Sequence, residues 1–530
     1  MRAAAHLLRR AAAWLRAGSR EPYEAFRRER LAQRRAGGAT PEPGLLSFVT
    51  TAWDTDPGFL RVLADSLLPQ LASGQEWVLL DNGSSAAPTR ALLAELGRNR
   101  QVRLLRVEQN LGIIGGMRRC LEAARGRYVV PVDSDDYLYP DCARLLGAFV
   151  RERQFPALLY TDEDKRDGER FFEAYFKPDW DPVLFVNSCY IAHLCAFERA
   201  RALELGVYGD ARAEGCHDWD TYLRFYGAGH APAHLPEVLY SWRVHAQSTS
   251  AHINSKDYIQ RSHEAVLGGF LAARPHAGRF SLELSPLFGG TPDRWFRRRR
   301  VDPRPITGLR LPAGPLAGPL RAAAESAQRA GGLVHLVGEN VRPAGDEWSW
   351  EALGLMELFP DCVLVGGRIY GADRRVHAAS AYFGFGWGCG YPDRGRGLGD
   401  PGFFAQMWKQ HSVDAVSVQH AVVEPAFLLD ALERHGDRPL GRELLGAWLG
   451  LHARRGGRRV VYTPFLEAEC DHDWEDSAPA DEKRAFLDAA RELLGRTPLL
   501  SPRLGLWPDA AYQPVRDAAR AAHLARLKAA

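Results

Sequence analysis

A short stretch, "VVPVDSDDYLYP" (residues 129–140), is the most informative for the fold. Its apolar run ends in the carboxylates of Asp133, Asp135 and Asp136. Neighbouring carboxylates repel one another unless a cation or protons compensate their charge. A helix N-cap accounts for one aspartate, since Asp is favoured at that position, but not for the whole group. The stretch therefore predicts a buried strand whose end faces a divalent cation that prefers oxygen ligands, Mg²⁺ or Mn²⁺.

The residues around this stretch alternate between strand-like and helix-like patterns. The predicted strands are LLSFVTTAW (45–53), EWVLLDNGSS (76–85), VRLLRVEQN (102–110) and RYVVPVDSDD (127–136). The predicted helices between them cover residues 59–71, 88–97 and 115–124. Alternation at this spacing predicts an α/β fold, with a mostly parallel sheet and helices on both faces. Buried parallel strands are expected to be continuously apolar, as these are.

Polar residues follow the predicted strands at one edge of the sheet. Thr50, Asp81, Asn110 and the DSDD run all lie at carboxyl ends of strands, where ligands bind in open sheets of this kind. No GxGxxG follows the first strand and no GxxxxGK[ST] occurs in the chain, which excludes the Rossmann dinucleotide and P-loop classes. A metal held by aspartates is expected to neutralise phosphate charge instead.

A second group of polar residues lies in "EGCHDWDTYLRFYGAGHAPAHLPEVLYSWRVHAQSTS" (214–250). Asp218 precedes a predicted helix over 219–226, where it either caps the helix or projects into the crevice as a general base. His245 ends the next predicted strand. It is either an ordinary surface histidine or a ligand that completes the metal site.

Together these segments resemble the family 2 glycosyltransferases, which have the GT-A fold, and among them bacterial enzymes of O-antigen and other surface polysaccharide synthesis. The resemblance covers about residues 45–275. It is carried by SFVTTAWDTDP, VLLDNGSS, NLGIIGGMRRCLEAARGRYVVPVDSDD, YFKPDWDPVLF, GCHDWDTYLRF and LYSWRVHAQSTS. The resemblance implies transfer of a sugar, with inversion, from a nucleotide-sugar donor to a hydroxyl of a glycan or lipid-linked glycan. A UDP- or dTDP-sugar is the favoured donor.

The resemblance also implies roles for matching residues. Asp81 would bind the nucleotide base, Asp133 would approach the ribose, and Asp135 would bind Mn²⁺ or Mg²⁺ with His245 as a further ligand. Asp218 would take the proton of the acceptor hydroxyl. The rest of the nucleotide-sugar site would comprise Thr50, Asn110, Ser134, Arg243 and Ser248, and the acceptor would contact Trp180 and Trp219. Trp180 is equally compatible with core packing against Phe185.

Three positions depart from the family pattern. Thr51 replaces a usual proline, His217 replaces an acidic or amide residue before the base, and Arg118 stands where asparagine is common. These departures leave the identity of the transferred sugar open. One methylene or hydroxyl in a sugar pocket changes binding by only about 1–3 kcal/mol.

The second half of the chain repeats the first at an offset of 205 positions. This offset pairs LRLP (309–312) with LLRV (104–107), and LVHLVGEN (333–340) with YVVPVDSD (128–135). At this offset, Gly338 occupies the position of Asp133, and Asn340 occupies the position of Asp135. We therefore expect a degenerate GT-A-like domain without catalysis, which acts as a scaffold, a dimerisation module or an acceptor-glycan-binding module. The remaining polar residues Glu339, His472 and Asp473 offer the alternative of a different site.

Four segments follow from these patterns: an amphipathic basic helical segment (1–44), a catalytic domain (45–285), a basic linker (286–305) and the degenerate domain (306–530). The first segment either docks on its own protein or binds an anionic membrane surface. The linker contains RWFRRRR (294–300), which is either solvated or binds anionic lipid or a lipid-linked diphosphate.

Composition narrows the class of partner and compartment. The net charge of +3 over 530 residues does not suggest nucleic acid as a partner. Eight cysteines without a CxxC pair fit a reduced cytosolic protein. No apolar run of about 18 residues occurs, so we expect no segment to span a membrane. With the basic N-terminal helix and the arginine run, we expect a cytoplasmic protein that is peripheral on the inner face of the membrane.

Two other functions remain open on the sequence. The first is a sugar-1-phosphate nucleotidyltransferase, which has a related fold but normally carries a Gly-rich, Arg/Lys-bearing loop that TTAWDTDPG (50–58) lacks. The second is a catalytically impaired glycan-binding or scaffold protein of a polysaccharide assembly complex.

Overall fold

A computed structural model describes residues 20–35, 44–244, 257–287, 293–438, 440–472 and 477–529. The chain divides into two units. The N-terminal unit contains Met1–Lys177 and Ile191–Val266, and the C-terminal unit contains Pro178–Tyr190 and Leu267–Ala530. The predicted boundary at residue 285 therefore differs from the observed one. Within the described ranges, no helix is long and apolar enough to cross a bilayer.

The N-terminal unit is built on one mixed sheet. Its strands are β1 (Leu46–Ala52), β2 (Glu76–Asn82), β3 (Val102–Val107), β4 (Tyr128–Pro131), β5 (Tyr137–Leu138), β6 (Leu158–Asp167), β7 (Arg170–Tyr175), β8 (Cys195–Glu198) and β9 (Ala233–Arg243). The strand order is β3-β2-β1-β4-β8-β6-β9-β5, with β7 paired to β6.

The helices occur in both units. In chain order they are α1 (Arg20–Arg35), α2 (Pro57–Leu67), α3 (Ala87–Leu96), α4 (Gly112–Ala123), α5 (Cys142–Glu152), α6 (Pro182–Asn187), α7 (Arg199–Glu204), α8 (His217–Gly227), α9 (Asp257–Ala272), α10 (Ala317–Arg329), α11 (Glu347–Leu358), α12 (Pro425–His435), α13 (Leu445–Arg455), α14 (Ala480–Ala490) and α15 (Asp517–Ala529).

The first four strands confirm the predicted parallel arrangement. β1 pairs in parallel with both β2 and β4, and β2 pairs in parallel with β3. Antiparallel β8 then separates β4 from β6, so the sheet is mixed beyond this point. The α/β fold class predicted from the sequence is confirmed. The parallel strands end at a common edge because a helix returns the chain between them.

Helix α2 illustrates how local sequence sets these crossovers. The Asp56 carboxylate accepts hydrogen bonds from the backbone N–H of Gly58 at 2.7 Å and of Phe59 at 3.3 Å, and Pro57 occupies the first turn. Both features favour a helix start. Its buried residues Leu60, Leu63, Ala64 and Leu67 recur at helical spacing and pack in the main core with β1 and β2.

Helix α1 docks on the N-terminal unit. The Arg34 guanidinium lies 2.9 Å from the Asp141 carboxylate and 3.2 Å from that of Glu237. The Phe26 ring packs edge-on against Phe176 with the ring centroids 5.6 Å apart. Residues 20–35 therefore dock on the same chain, whereas the amphipathic helix for which the two alternatives were predicted ends at Arg20. Residues 1–19, on which the membrane alternative chiefly depends, lie outside the described residues.

The docking of α1 also completes a buried cluster around Asp164 on β6. The hydroxyls of Tyr23 and Tyr139 both donate to Asp164 Oδ2 at 2.5 Å. Burial raises the pKa of Asp164 to about 7, and these hydrogen bonds offset only part of that rise. The folded state therefore keeps a proton on this carboxyl at pH values where an unfolded aspartate has lost it.

We expect Asp164→Asn to remove a pH dependence of stability. Because the folded pKa lies above the unfolded value, the folded state binds more protons between the two, and stability falls as pH rises through this window. The wild type is expected to lose about 3 kcal/mol of unfolding free energy more than the variant between pH 5 and pH 8. Urea denaturation at several pH values measures this difference, and parallel curves for the two proteins would contradict it.

The C-terminal unit contains a second mixed sheet. The strands of the unit are β10 (Phe280–Leu284), β11 (Arg294–Arg298), β12 (Ile306–Arg310), β13 (Leu333–Val337), β14 (Val341–Pro343), β15 (Cys362–Tyr370), β16 (Val376–Ala378), β17 (Tyr382–Phe383), β18 (Cys389–Gly390), β19 (His411–Val413), β20 (His420–Val423) and β21 (Arg459–Cys470). The large sheet has the order β12-β13-β20-β15-β21-β14.

This order confirms the internal repeat. The run β13-β20-β15-β21-β14 reproduces β4-β8-β6-β9-β5, and each neighbouring pair keeps its parallel or antiparallel sense. One detail differs from the 205-residue offset. That offset matches β12 to β3, but β12 pairs in parallel with β13 and so takes the place of β1. Two strands of the N-terminal sheet therefore lack a counterpart in the described C-terminal sheet.

The arginine-rich segment is not a solvated linker. β11 forms an antiparallel hairpin with β10, and Arg294 and Arg298 on it are buried. Arg298 Nε donates to Glu357 Oε2 at 2.7 Å, and Arg300 contacts the Asp346 carboxylate at 2.8 Å. Carboxylates of the same unit thus compensate much of this positive charge.

Candidate active site

The predicted polar edge exists at the carboxyl ends of β1, β2 and β4. The parallel register places Ala52 of β1 beside Asp81 of β2. The DSDD run follows β4 and connects it to β5, which crosses to pair with β9. The strands therefore bring Asp81 and the acidic loop to the same edge, as the sequence predicts.

One cavity at this edge collects side chains from distant parts of the chain. It is lined by Thr51 of β1, Asp133 of the acidic loop, His193 before β8, and Asp218 with His217 on α8. The Asp218 side chain is 27% exposed and that of Asp133 is 59% exposed, so both are open to solvent. Two carboxylates separated by more than 80 positions in sequence thus face one space.

Charge accumulates in this cavity. Partial loss of surrounding water on the cavity side raises the pKa of Asp133, the carboxylates of Asp135 and Asp218 raise it further, and His193 opposes the rise. His193 Nε2 lies 3.8 Å from Asp133 Oδ2, and His217 Nε2 lies 3.4 Å from Asp218 Oδ1. Each of the two carboxylates therefore has a histidine ring beside it.

Asp136 has a different function from its neighbours. Its carboxylate is buried, accepts a hydrogen bond from the Arg243 backbone N–H at 2.7 Å, and accepts another from the Tyr240 hydroxyl. Burial and the adjacent Asp133 and Asp135 raise its pKa well above the usual range. Asp136 thus attaches the acidic loop to β9, while Asp133 and Asp135 are more accessible to solvent.

Arg243 and Ser134 lie against the same loop. Arg243 Nε donates to the Asp135 carbonyl at 2.5 Å, and its guanidinium stacks over the Phe59 ring at 4.5 Å. The Ser134 hydroxyl lies 2.8 Å from that of Thr55. Both predicted residues therefore border the acidic loop. The predicted ligand His245 and predicted Ser248 lie outside the described residues.

Asp81 and Asn110 organise the turns beside the cavity. Asp81 Oδ1 accepts the Ser84 backbone N–H at 2.9 Å, and Arg106 lies 3.7 Å from its other oxygen. Asn110 Oδ1 accepts the Asn82 side-chain N–H at 3.0 Å and the Gly112 backbone N–H at 2.8 Å. Asp81 is thus held at the edge, and Asn110 positions the start of α4.

Three predicted site residues do not present their side chains in this cavity. The Thr50 hydroxyl is buried and accepts the indole N–H of Trp77 at 3.0 Å, because alternate residues of β1 face opposite sides and Thr51 faces the cavity. Trp219 is only 3% exposed and packs edge-on against His263. Trp180 belongs to the C-terminal unit, where its ring lies 4.9 Å from Phe185, as the packing alternative expects.

Sequence reasoning missed two residues that shape the site. His193 lies in an apolar run without any motif, so nothing local singles it out. Glu214 accepts the backbone N–H groups of Ile113 at 2.7 Å and Ile114 at 3.1 Å, and so caps α4. Its carboxylate precedes Asp218 in the same polar stretch, which was the only available signal.

Comparisons with known proteins find similar sequences and solved structures. Residues 47–199 match the model of the family described as Glycosyl transferase family 2. Uncharacterized protein y4gI of Sinorhizobium fredii is 25% identical over 490 residues, covering 80% of this chain and 52% of that protein. O-antigen biosynthesis protein RfbC of Myxococcus xanthus is 31% identical over 210 residues, covering 39% of this chain and 16% of that protein.

The chain spans only part of these relatives, about half of the first and less of the second. Chondroitin synthase of Pasteurella multocida is 26% identical over 211 residues, covering 39% of this chain and 21% of that protein. Among solved structures, S. aureus TarS residues 1–349 with UDP-GlcNAc aligns with a TM-score of 0.36 and 17% identity, covering 43% of this chain and 67% of that one.

The family match begins in β1 and ends at the start of α7, so it contains the acidic loop, Asp81 and His193. Of the segments that carry the sequence resemblance, those from SFVTTAWDTDP to YFKPDWDPVLF lie within the match, whereas GCHDWDTYLRF and LYSWRVHAQSTS lie beyond it. Residues 47–199 of this chain therefore match glycosyltransferase family 2.

Proposed function

We propose that the N-terminal unit is an inverting, metal-dependent glycosyltransferase. It moves a sugar from a UDP- or dTDP-sugar to a hydroxyl of a glycan or lipid-linked glycan. One observation carries the proposal. The carboxylates of Asp133 and Asp218 line the same cavity, close enough for the charge of Asp218 to act on Asp133, at the edge of a domain that matches family 2. The O-antigen protein and chondroitin synthase among the relatives support a polysaccharide product.

Asp218 is the general base in this proposal. It lies in the first turn of α8, partly exposed to the cavity, where an acceptor hydroxyl has access to its carboxylate. Asp218 takes the hydroxyl proton as the acceptor oxygen attacks the anomeric carbon from the face opposite the nucleoside diphosphate. The bond from that carbon to the diphosphate breaks, the nucleoside diphosphate leaves, and the centre is inverted in a single displacement. The His217 ring lies beside this base, with Nε2 3.4 Å from Asp218 Oδ1.

The acidic loop is the proposed site of Mn²⁺ or Mg²⁺. Oxygen donors such as Asp133 and Asp135 suit these hard cations, and a cation would relieve the repulsion that contributes to the raised pKa of Asp133. Among the described residues, no three His, Cys, Asp or Glu side chains are grouped closely enough to hold a metal. The proposed further ligand, His245, is outside them. When bound, the metal would neutralise the leaving diphosphate.

The C-terminal unit is proposed to be non-catalytic. Asn340 and Gly338 replace the aspartates at the repeated strand end, and Glu339 is paired with Arg442 at 3.0 Å. A scaffold, dimerisation or glycan-binding role remains for it. We also propose a peripheral position on the cytoplasmic membrane face. Contact with the membrane would depend on the basic helix predicted for residues 1–19, which lies outside the described residues.

Release of nucleoside diphosphate from a panel of UDP-, dTDP- and GDP-sugars tests the proposed function. The purified full chain is incubated with each donor and an acceptor glycan, with and without Mn²⁺. We expect metal-dependent release from a UDP- or dTDP-sugar. A nucleotidyltransferase would instead release pyrophosphate from a nucleoside triphosphate and a sugar 1-phosphate, and a scaffold would give no turnover with any donor.

A further inference from the structure

The C-terminal unit contains a cavity that the proposed catalysis does not use. Its volume is 380 Å³, within the usual range for small-molecule sites. Its walls include Phe385, Trp387, Tyr391, Arg394 and Glu443. Aromatic walls with a few charged groups are typical of a binding site rather than of a packing defect.

The position of this cavity follows from the internal repeat. Glu443 comes just before α13, which precedes β21 in the way that α8 precedes β9. The cavity therefore opens at the helix start that carries Asp218 in the N-terminal unit. Its other wall is formed by residues 379–419, which connect β16 to β20. The corresponding connection of the N-terminal sheet, residues 176–194 between β7 and β8, is much shorter.

A rigid hairpin supports the aromatic wall. β17 and β18 pair in antiparallel fashion, and the Gly384 N–H donates to the Gly388 carbonyl at 2.8 Å across the loop between them. Gly388 has a φ of 139°, and a Cβ there would lie 2.4 Å from Leu487. Only glycine fits this turn. A loop fixed in this way loses little entropy when a ligand binds.

The aromatic side chains are placed to stack on a ligand. Trp387 at the end of this loop is half-buried and is held edge-on by Phe486, with the ring centroids 5.6 Å apart. Tyr391 just after β18 is also half-buried. Rings of this kind offer apolar faces that complement the C–H faces of a pyranose, while their polar edges remain in water.

The charged groups define the class of ligand. The Glu443 carboxylate accepts hydrogen bonds from hydroxyl groups, and the Arg394 guanidinium donates them. Glu482 lies close to Glu443, since both carboxylates approach Gly441. Arg442 Nε lies 3.6 Å from Glu443 Oε1, and Lys483 Nζ lies 5.7 Å from the centroid of the Trp387 ring. Charges of both signs thus lie at the cavity, and they suit an uncharged ligand that both donates and accepts hydrogen bonds. Neutral, hydroxyl-rich rings fit both features.

We propose that this cavity binds neutral sugar units of a glycan chain. The identification of that chain as the growing acceptor of the N-terminal unit rests on the proposed glycosyltransferase function. The binding itself does not, since it requires neither donor nor metal. A site of this kind would retain the polysaccharide between successive transfers.

Isothermal titration of the full chain, without donor or metal, tests the proposal. The probes are neutral hexasaccharides of β-1,4-glucose, α-1,4-glucose and β-1,4-N-acetylglucosamine, and a hexagalacturonate serves as the anionic comparison. We expect at least one neutral probe to bind. Trp387→Ala is expected to weaken its binding about tenfold, and Glu443→Gln to weaken it less.

Trp350→Ala is the matched control, because this half-buried tryptophan on α11 of the same unit does not line the cavity. It should bind as the wild type does, and the Tm of each variant reports folding. The proposal is overturned if no neutral probe binds the wild type, if hexagalacturonate binds more tightly, or if Trp387→Ala and Trp350→Ala bind alike. Sugar transfer without glycan binding would refute this site alone, and glycan binding without transfer would refute the proposed catalysis alone.

Discussion

Replacing Asp218 with asparagine is expected to lower kcat for sugar transfer by about 10²- to 10⁴-fold, the usual contribution of a general base. The amide preserves the size of the side chain but does not accept the hydroxyl proton at neutral pH. Because Asp218 lies in the first turn of α8 and is partly exposed, the substitution leaves the core intact. Steady-state kinetics with the best donor measures the change, and the KM for the donor should remain close to that of the wild type.

Asp220→Asn on the same helix is the matched control. The Asp220 carboxylate pairs with Arg224 at 2.7 Å and does not line the cavity, so its loss should change kcat only about twofold. An Asp218→Asn enzyme with full activity would show that another group removes the proton. Equal losses in both variants would point to disturbance of α8 instead of to lost base catalysis.

The second large effect concerns the two neighbouring aspartates of the acidic loop. Asp135→Asn is expected to reduce Mn²⁺-dependent turnover by about 100-fold or more while leaving Tm unchanged, since loss of a metal-site group typically costs 10- to 100-fold or more. Asp136→Ala is expected to lower Tm, because the Arg243 backbone N–H and the Tyr240 hydroxyl would lose their buried acceptor. The expected cost is about 2–3 kcal/mol of unfolding free energy.

Manganese titrations and thermal melts of the two variants separate these functions. For Asp135→Asn, a higher Mn²⁺ requirement should accompany the reduced turnover. If Asp135→Asn melts well below the wild type while Asp136→Ala keeps its stability, the assignment of the two carboxylates is reversed. Normal Mn²⁺-dependent turnover in Asp135→Asn would remove Asp135 from the proposed metal site.

Most of the N-terminal fold could be predicted because its signals are local. Apolar runs of strand length, separated by helical patterns, indicate β1 to β4 and the helices between them. The long offset between the two halves also indicated a repeat. However, that offset matched β12 to β3, since strands of similar composition are interchangeable in sequence and only the hydrogen-bonded neighbours distinguish them.

The side chains that line the site were harder to predict from the sequence. Thr50 and Thr51 are adjacent and chemically identical, yet one bonds to Trp77 in the interior and the other lines the cavity. A strand alternates its faces with a period of two, so the register of β1 in the sheet makes this choice. Trp219 is likewise buried by the packing of α8 against His263.

The sequence by itself determined the class of the fold, the polar edge of the sheet and the loss of the aspartates in the second half. These are properties of the order and polarity of residues along the chain. Only the tertiary structure decided that Asp136 supports the loop while Asp133 faces Asp218, and that His193 joins them. The same holds for the aromatic cavity beside Glu443. These contacts join residues far apart in sequence, and side-chain direction and burial arise only when the sheets have formed.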